Sequence, residues 1–257
     1  MAAASGDQPE VRFTGLAGLY DQFRPGYPDE ALTAFIDRAG LRPGSLVVDV
    51  GSGTGISTRL LAARGLRVIG IEPNDDMRAQ AEATPAAAHA TTPIYQAGVA
   101  EDLGLPDACA EAVMAAQSFH WFQAMPTLAE FHRVLQPGGW VALLWNERDE
   151  NDPFTAAYGD AFRELPNTAV IEAHRATAGR ALLASPLFHH ACRMEFRQQQ
   201  TLNEEGLIGR AFSTSYAPKD MVGAAALSKS LRQAFAIFQE NGWVNLHYVT
   251  TLYLAKK

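Results

Sequence analysis

Cysteine is nearly absent: Cys109 and Cys192 are the whole complement of a 257-residue chain. Two isolated thiols cannot build a disulfide framework, and neither sits at a spacing that makes a zinc site, so no metal is expected. A reducing, cytoplasmic compartment is the expectation that follows. Positive charge is also in deficit, with 21 Lys and Arg against 28 Asp and Glu and a formal net charge of -7. Affinity for DNA or RNA rests largely on basic surface that displaces counterions, and no basic block exists here, so a nucleic-acid partner is not expected. No uncharged apolar run approaches the roughly 20 residues that a membrane-spanning helix needs. Residues Met1 to Glu10 are alanine-rich and polar, with no basic segment leading into an apolar one, and residues 1–12 read as a loose tail.

What remains is an ordinary globular composition, 47% apolar and 19% charged, long enough to bury a large core as one domain over 1–257. The stretch Leu46-Val47-Val48-Asp49-Val50 runs an apolar strand into Gly51-Ser52-Gly53-Thr54-Gly55, with glycine at every second position. Gly51 and Gly53 lack a Cβ, so the backbone can turn sharply and approach a ligand before entering a helix. A nucleotide cofactor is expected there. Dinucleotide loops carry their third glycine one residue later, where this chain has Ile56. Asp49, at the strand end, suits a ligand with an ammonium group.

A second apolar strand, Leu66 to Ile71, ends on Glu72, whose carboxylate can accept both hydrogen bonds of a ribose diol. Pro73-Asn74-Asp75-Asp76-Met77 then reads as a capped helix start with acids in its first turn. Met77 can pack on an adenine face or on the core. Gly98-Val99-Ala100-Glu101 follows a short strand, Ile94 to Gln96, and Leu105-Pro106-Asp107 leads to another, Glu111 to Ala116. A helix from Thr127 to Val134 should end in the turn Leu135-Gln136-Pro137-Gly138-Gly139, before a strand from Trp140 to Trp145.

In this order and spacing, the motifs from Val47 to Trp145 resemble the class I S-adenosylmethionine-dependent methyltransferases. The resemblance implies an α/β fold: a Rossmann-like, doubly wound sheet of seven strands, mostly parallel with one antiparallel strand. Arg193 to Gln200 and Trp243 to Leu254 are the candidates for the late antiparallel pair. Segments 151–191 and 202–240, mainly helical in pattern, are the candidate lid. The resemblance further implies S-adenosyl-L-methionine as cofactor. Asp49 would hold its methionine moiety, with Gly51, Ser52, Gly53, Thr54 and Gly55 beneath it. Glu72, Pro73 and Met77 would hold the adenosine, Ala100 and Glu101 would close over adenine, and Gln117 would stand at the end of the fourth strand. Two segments, Tyr20-Asp21-Gln22-Phe23-Arg24-Pro25-Gly26-Tyr27-Pro28 and Gln117-Ser118-Phe119-His120-Trp121-Phe122, are similar to the small-molecule branch that includes trans-aconitate methyltransferase. There the N-terminal segment folds over the cofactor, which makes Tyr20 and Arg24 candidates for the methionine carboxylate or an acidic substrate.

Enzymes of this superfamily that methylate base amines or glutamine amides commonly carry Asn/Asp-Pro-Pro-Tyr where this chain has Gln117 to Phe122, so a small, diffusible acceptor is expected. Methyl transfer is an in-line displacement, and a base is needed only for a nucleophile that arrives protonated. His120 is the candidate base, since imidazole ordinarily titrates near pH 6.5; orienting the substrate without taking a proton is the equal alternative. Trp121 is the aromatic assigned to the acceptor side, where its face would attract a sulfonium. Arg148 could grip a carboxylate or pair with a neighbouring acid, and the Tyr216 hydroxyl could orient a polar acceptor. The expected function is methyl transfer to a small molecule, an oxygen nucleophile ahead of nitrogen or carbon. A cofactor-binding module without turnover and a dinucleotide dehydrogenase are the competing readings.

Overall fold

The computed structural model describes residues 13–163, 165 and 177–257. Seven strands form one sheet: β1 (Leu46–Val50), β2 (Arg67–Ile71), β3 (Ile94–Gln96), β4 (Ala110–Ala116), β5 (Leu135–Arg148), β6 (His189–Leu202) and β7 (Val244–Lys256). Their order is β3-β2-β1-β4-β5-β7-β6. The first five run parallel, and β7 lies antiparallel between β5 and β6. This is the doubly wound arrangement expected from the sequence.

The central strands are apolar at successive positions because helices cover both faces of the sheet. On one face Val48, Val50, Val113 and Ala115 pack with Leu128, Phe131 and Val134, the last three from helix Ala124–Val134. On the other, Val47, Ala112 and Met114 pack with Ala31, Leu32 and Phe35 of helix Asp29–Ala39 and with Leu61. The edge strand β6 alternates between exposed and half-buried residues along most of its length, as an antiparallel strand with one wet face does.

Three expectations are corrected. The turn at 135–139 does not precede the fifth strand but is absorbed into it. Leu135 already pairs with Ala110 and Trp140 with Ala112, so the Pro137-Gly138-Gly139 stretch is a register irregularity inside an extended chain. β5 also runs on to Arg148, because β7 continues to pair with it as far as Arg148 opposite Tyr248. Finally, β6 begins at His189, so residues 189–191 belong to the sheet and not to a lid.

Helices Pro153–Arg163, Glu204–Phe212 and Met221–Phe238 do form a separate helical layer. Its own core joins Phe154, Phe162, Leu207, Leu231 and Phe235 to Leu246 and Tyr248 of β7. Within the expected lid, residues 164 and 166–176 lie outside the described residues, as does the tail 1–12, while Leu182 and Phe188 pack in the core beside the sheet. No described helix is long and apolar enough to cross a membrane.

Candidate active site

A cavity opens at the carboxyl ends of the parallel strands, where open α/β sheets place their ligands. Its inner chamber encloses about 850 Å³, within the ordinary range of small-ligand sites, and part of that space is open to solvent. Gly51, Ser52, Gly53, Glu72, Pro73, Met77 and Gln117 line it, with Tyr20 and Arg24 opposite. The N-terminal segment is drawn over this chamber. Gly15 donates its amide to Asp76, Asn74 donates to the Thr14 hydroxyl, and the Phe13 ring stands edge-on to Tyr20 and Trp121. Arg24 lies over the Tyr20 ring at 4.6 Å and donates to the Ser213 carbonyl at 3.0 Å. Asp21 pairs with Arg59, and Arg24 stands on the cavity wall.

Glu72 is held by the protein itself. One carboxylate oxygen accepts from the Gly53 amide at 2.8 Å and the other from the Asn74 amide at 2.9 Å. Each oxygen keeps a further lone pair, which is what a vicinal diol requires. Burial raises the Glu72 pKa above the usual carboxylate value, against those two amide bonds, which lower it. Ser52 borders the same chamber and is only 6% exposed, yet its hydroxyl has no hydrogen-bond partner among the described residues. A buried polar atom without a partner is costly unless a ligand or water completes it. These features fit the adenosine and methionine parts of S-adenosylmethionine.

Other expected contacts are placed elsewhere. Asp49 is fully buried behind the wall, because strand alternation turns it toward the following helix, where Ser57 and Thr58 both donate to Oδ2 at 2.6 Å. Its Oδ1 has no partner among the described residues. Thr54 is buried below the loop and Gly55 is the left-handed N-cap of helix Ile56–Ala62. Ala100 packs in the core, while Glu101 accepts from the Gln123 amide at the start of helix Ala124–Val134. None of these five lines the chamber.

Burial pushes the Asp49 carboxyl up to about 6, with the Ser57 and Thr58 hydrogen bonds acting the other way. The native state therefore binds this proton at a higher pH than the unfolded chain, and stability falls as pH rises from about 4 to about 6. Asp49→Asn should remove about 3 kcal/mol of that dependence. Urea denaturation at pH 4.5 and pH 7, compared between wild type and variant, checks it. Equal slopes in the two proteins would contradict the burial argument.

The outer chamber, about 1040 Å³ and more open, brings together the residues expected on the acceptor side. His120, Trp121, Arg148 and Tyr216 line it, as do Ser215 and, not singled out by sequence reasoning, Arg210 and Tyr248. Arg148 pairs with Glu150 at 3.6 Å, the neighbouring-acid contact, and lies over the Tyr158 and Phe162 rings. The Tyr216 ring stacks edge-on against Phe162. Asn146, also unforeseen, donates to the Gly26 carbonyl and accepts from Gln198 and Thr250, tying the N-terminal loop to the sheet.

His120 sits on a 3-10 turn, Phe119–Trp121, directly after β4. Trp145 donates its indole N–H to His120 Nδ1 at 3.3 Å. An indole can only donate, so Nδ1 is the acceptor and the neutral imidazole carries its proton on Nε2.

Residues 48–143, which run from β1 into β5, match the methyltransferase domain family. Over this segment the chain is similar to a methyltransferase domain. The chain is 38% identical over 140 residues to an uncharacterised methyltransferase of Mycobacterium tuberculosis, an alignment that spans 54% of each chain. It is 29% identical over 149 residues to a methyltransferase-like protein of Schizosaccharomyces pombe, covering 52% of this chain and 51% of that one. These matches reach about half the length of the relatives. Among solved structures, one described as a type II methyltransferase from Anaeromyxobacter dehalogenans superposes with a TM-score of 0.65 at 24% identity, covering 91% of this chain and 98% of that one. The shared fold therefore extends through β6, β7 and the helical layer.

Proposed function

We propose that the whole chain transfers the methyl group of S-adenosylmethionine to an oxygen of a small molecule held in the outer chamber. When bound, the cofactor supplies an activated methyl on a sulfonium for in-line displacement. Glu72 and the glycine loop hold the adenosine side, and the segment carrying Tyr20 and Arg24 covers it and limits water. The observation that carries the oxygen reading is the Trp145 hydrogen bond to His120 Nδ1. With its proton on Nε2, the imidazole offers an N–H and no lone pair. An ammonium or a carbon acid would have to lose a proton to a base, whereas an oxygen that arrives as an anion needs only a donor to hold it in line. His120 is thus a positioning donor for a deprotonated oxygen.

His120→Ala should leave affinity for S-adenosylhomocysteine, measured by calorimetry, within about twofold, and lower kcat by about tenfold to about a hundredfold, the range for one lost hydrogen bond to a charged oxygen. Wild-type kcat should not climb with pH through the ordinary histidine range. A rise there that disappears in His120→Ala would make His120 a base and defeat the donor role. Calorimetry with NAD and S-adenosylmethionine tests the cofactor itself, and binding of NAD alone would defeat the whole reading.

A further inference from the structure

Arg210, on helix Glu204–Phe212, is 6% exposed and lines both chambers. Its Nε donates to the Tyr248 hydroxyl at 3.1 Å, and that hydroxyl reaches Gln200 Oε1 at 3.4 Å. One edge of the guanidinium is therefore fastened to the sheet. On the other edge, Nη1 is buried with no hydrogen-bond partner among the described residues, and no carboxylate there forms an ion pair with Arg210. Two phenols, Tyr158 and Tyr216, are the other groups that bear on its charge besides Tyr248. A buried guanidinium without a counterion is strongly unfavourable unless something completes it. The other arginines of the cavity are engaged, Arg24 with the Ser213 carbonyl and Arg148 with Glu150. Helix Glu204–Phe212 is brought in by Gly209, where a Cβ would overlap the Phe23 ring of the covering segment.

We infer that Arg210 is the anchor for an oxyanion, a carboxylate or a phosphate, carried by the methyl acceptor. This rests on the proposed function for the word acceptor, but the anion site itself does not. A guanidinium edge matches either oxyanion with two parallel hydrogen bonds. The partner that fixes Arg210 also points to the acceptor side, since Tyr248 lines the outer chamber and not the inner one, as does the neighbouring phenol Tyr216. The substrate class is then an acidic small molecule, gripped at one end by Arg210.

The test is calorimetry and thermal denaturation of the full chain, with and without S-adenosylhomocysteine, using glutarate, glycerol 3-phosphate and the neutral glutaramide as probes. At least one oxyanion should bind and raise the melting midpoint, and glutaramide should not. Arg210→Met should weaken that oxyanion by about tenfold to about a hundredfold, as expected for lost hydrogen bonds to a charged group. Arg210→Lys should fall between. The free Arg210→Met protein should melt no lower than wild type, because an uncompensated buried charge has been replaced by an apolar chain. Affinity for S-adenosylhomocysteine should stay within about twofold of wild type, as it should if Arg210 serves the acceptor alone.

Failure of both oxyanions to bind overturns the proposal, as does equal binding to Arg210→Met. A loss confined to S-adenosylhomocysteine would assign Arg210 to the cofactor. A variant that melts far lower, with Arg210→Lys binding the oxyanion as wild type does, would mark a structural arginine. If S-adenosylhomocysteine does not bind at all, the proposed function fails, and the oxyanion response of the free protein still decides the anion site.

Discussion

Gly51→Val is expected to cost the domain much of its stability. Gly51 has φ +67°, in the left-handed region that L side chains rarely adopt. A Cβ placed there would lie 2.5 Å from Ser118 Cβ, 2.9 Å from its hydroxyl and 3.0 Å from the Phe122 ring. Ser118 cannot step aside cheaply, since it is buried and its hydroxyl donates to the Val50 carbonyl at 2.7 Å. Backbone strain of about 1 to 3 kcal/mol adds to overpacking of about 1 to 3 kcal/mol. The sum is a large part of the roughly 5 to 15 kcal/mol by which a domain is stable. The expected result is a denaturation midpoint far below wild type, or no folded protein. Because β1 and the turn after β4 are pushed apart at the cavity, whatever folds should bind S-adenosylhomocysteine poorly. A variant with the wild-type midpoint would show that the close approach of Gly51 to Ser118 is not a constraint.

That contact also marks where the sequence was legible. A loop that must turn at positive φ against another strand end admits few residues, so glycine spacing announces it, and the acid at the next strand end is found by its place in the βαβ unit. Glu72, Met77, Ser52 and Gln117 accordingly came to the inner chamber. Side-chain direction was harder. Asp49 occupies a strand end, but the pleat turns it toward Ser57 and Thr58 and away from the cavity. Glu101 follows β3 as expected, and its carboxylate accepts from the Gln123 amide at the start of helix Ala124–Val134. Competing local hydrogen bonds of this kind leave no spacing signature.

The acceptor side was the least legible part, for a reason of topology. Arg210 and Tyr248 are 38 residues apart on a helix and a strand, and only the β5–β7–β6 arrangement brings them together. In the sequence, Arg210 is one arginine among many in an amphipathic segment. His120 was found by its place after β4, but its tautomer depends on Trp145, on the neighbouring strand. The family match ends at residue 143, before Arg148, Arg210, Tyr216 and Tyr248. The inner chamber is thus written in a local motif, and the outer chamber in long-range packing.

Glu72→Ala separates the two halves. The carboxylate bridges the glycine loop and the start of helix Asp75–Ala83 through the Gly53 and Asn74 amides. Its loss removes the acceptor for the diol and releases the loop at the same time. Affinity for S-adenosylhomocysteine should fall by about 1 to 3 kcal/mol, or about tenfold to about a hundredfold, the range for hydrogen bonds to a charged group. Glu72→Gln keeps one acceptor oxygen but turns an NH2 toward an amide donor, so it should lie between. Burial raises the Glu72 pKa, so protonation begins at higher pH than for an ordinary carboxylate. Wild-type affinity should therefore decline on acidification toward the carboxylate range, and the decline should be absent in Glu72→Gln. Oxyanion binding at Arg210 should survive both variants. Calorimetric titration of each ligand against each variant reads all of this directly. Wild-type affinity for S-adenosylhomocysteine in Glu72→Ala would remove the diol from this carboxylate and, with it, the assignment of the inner chamber to adenosine.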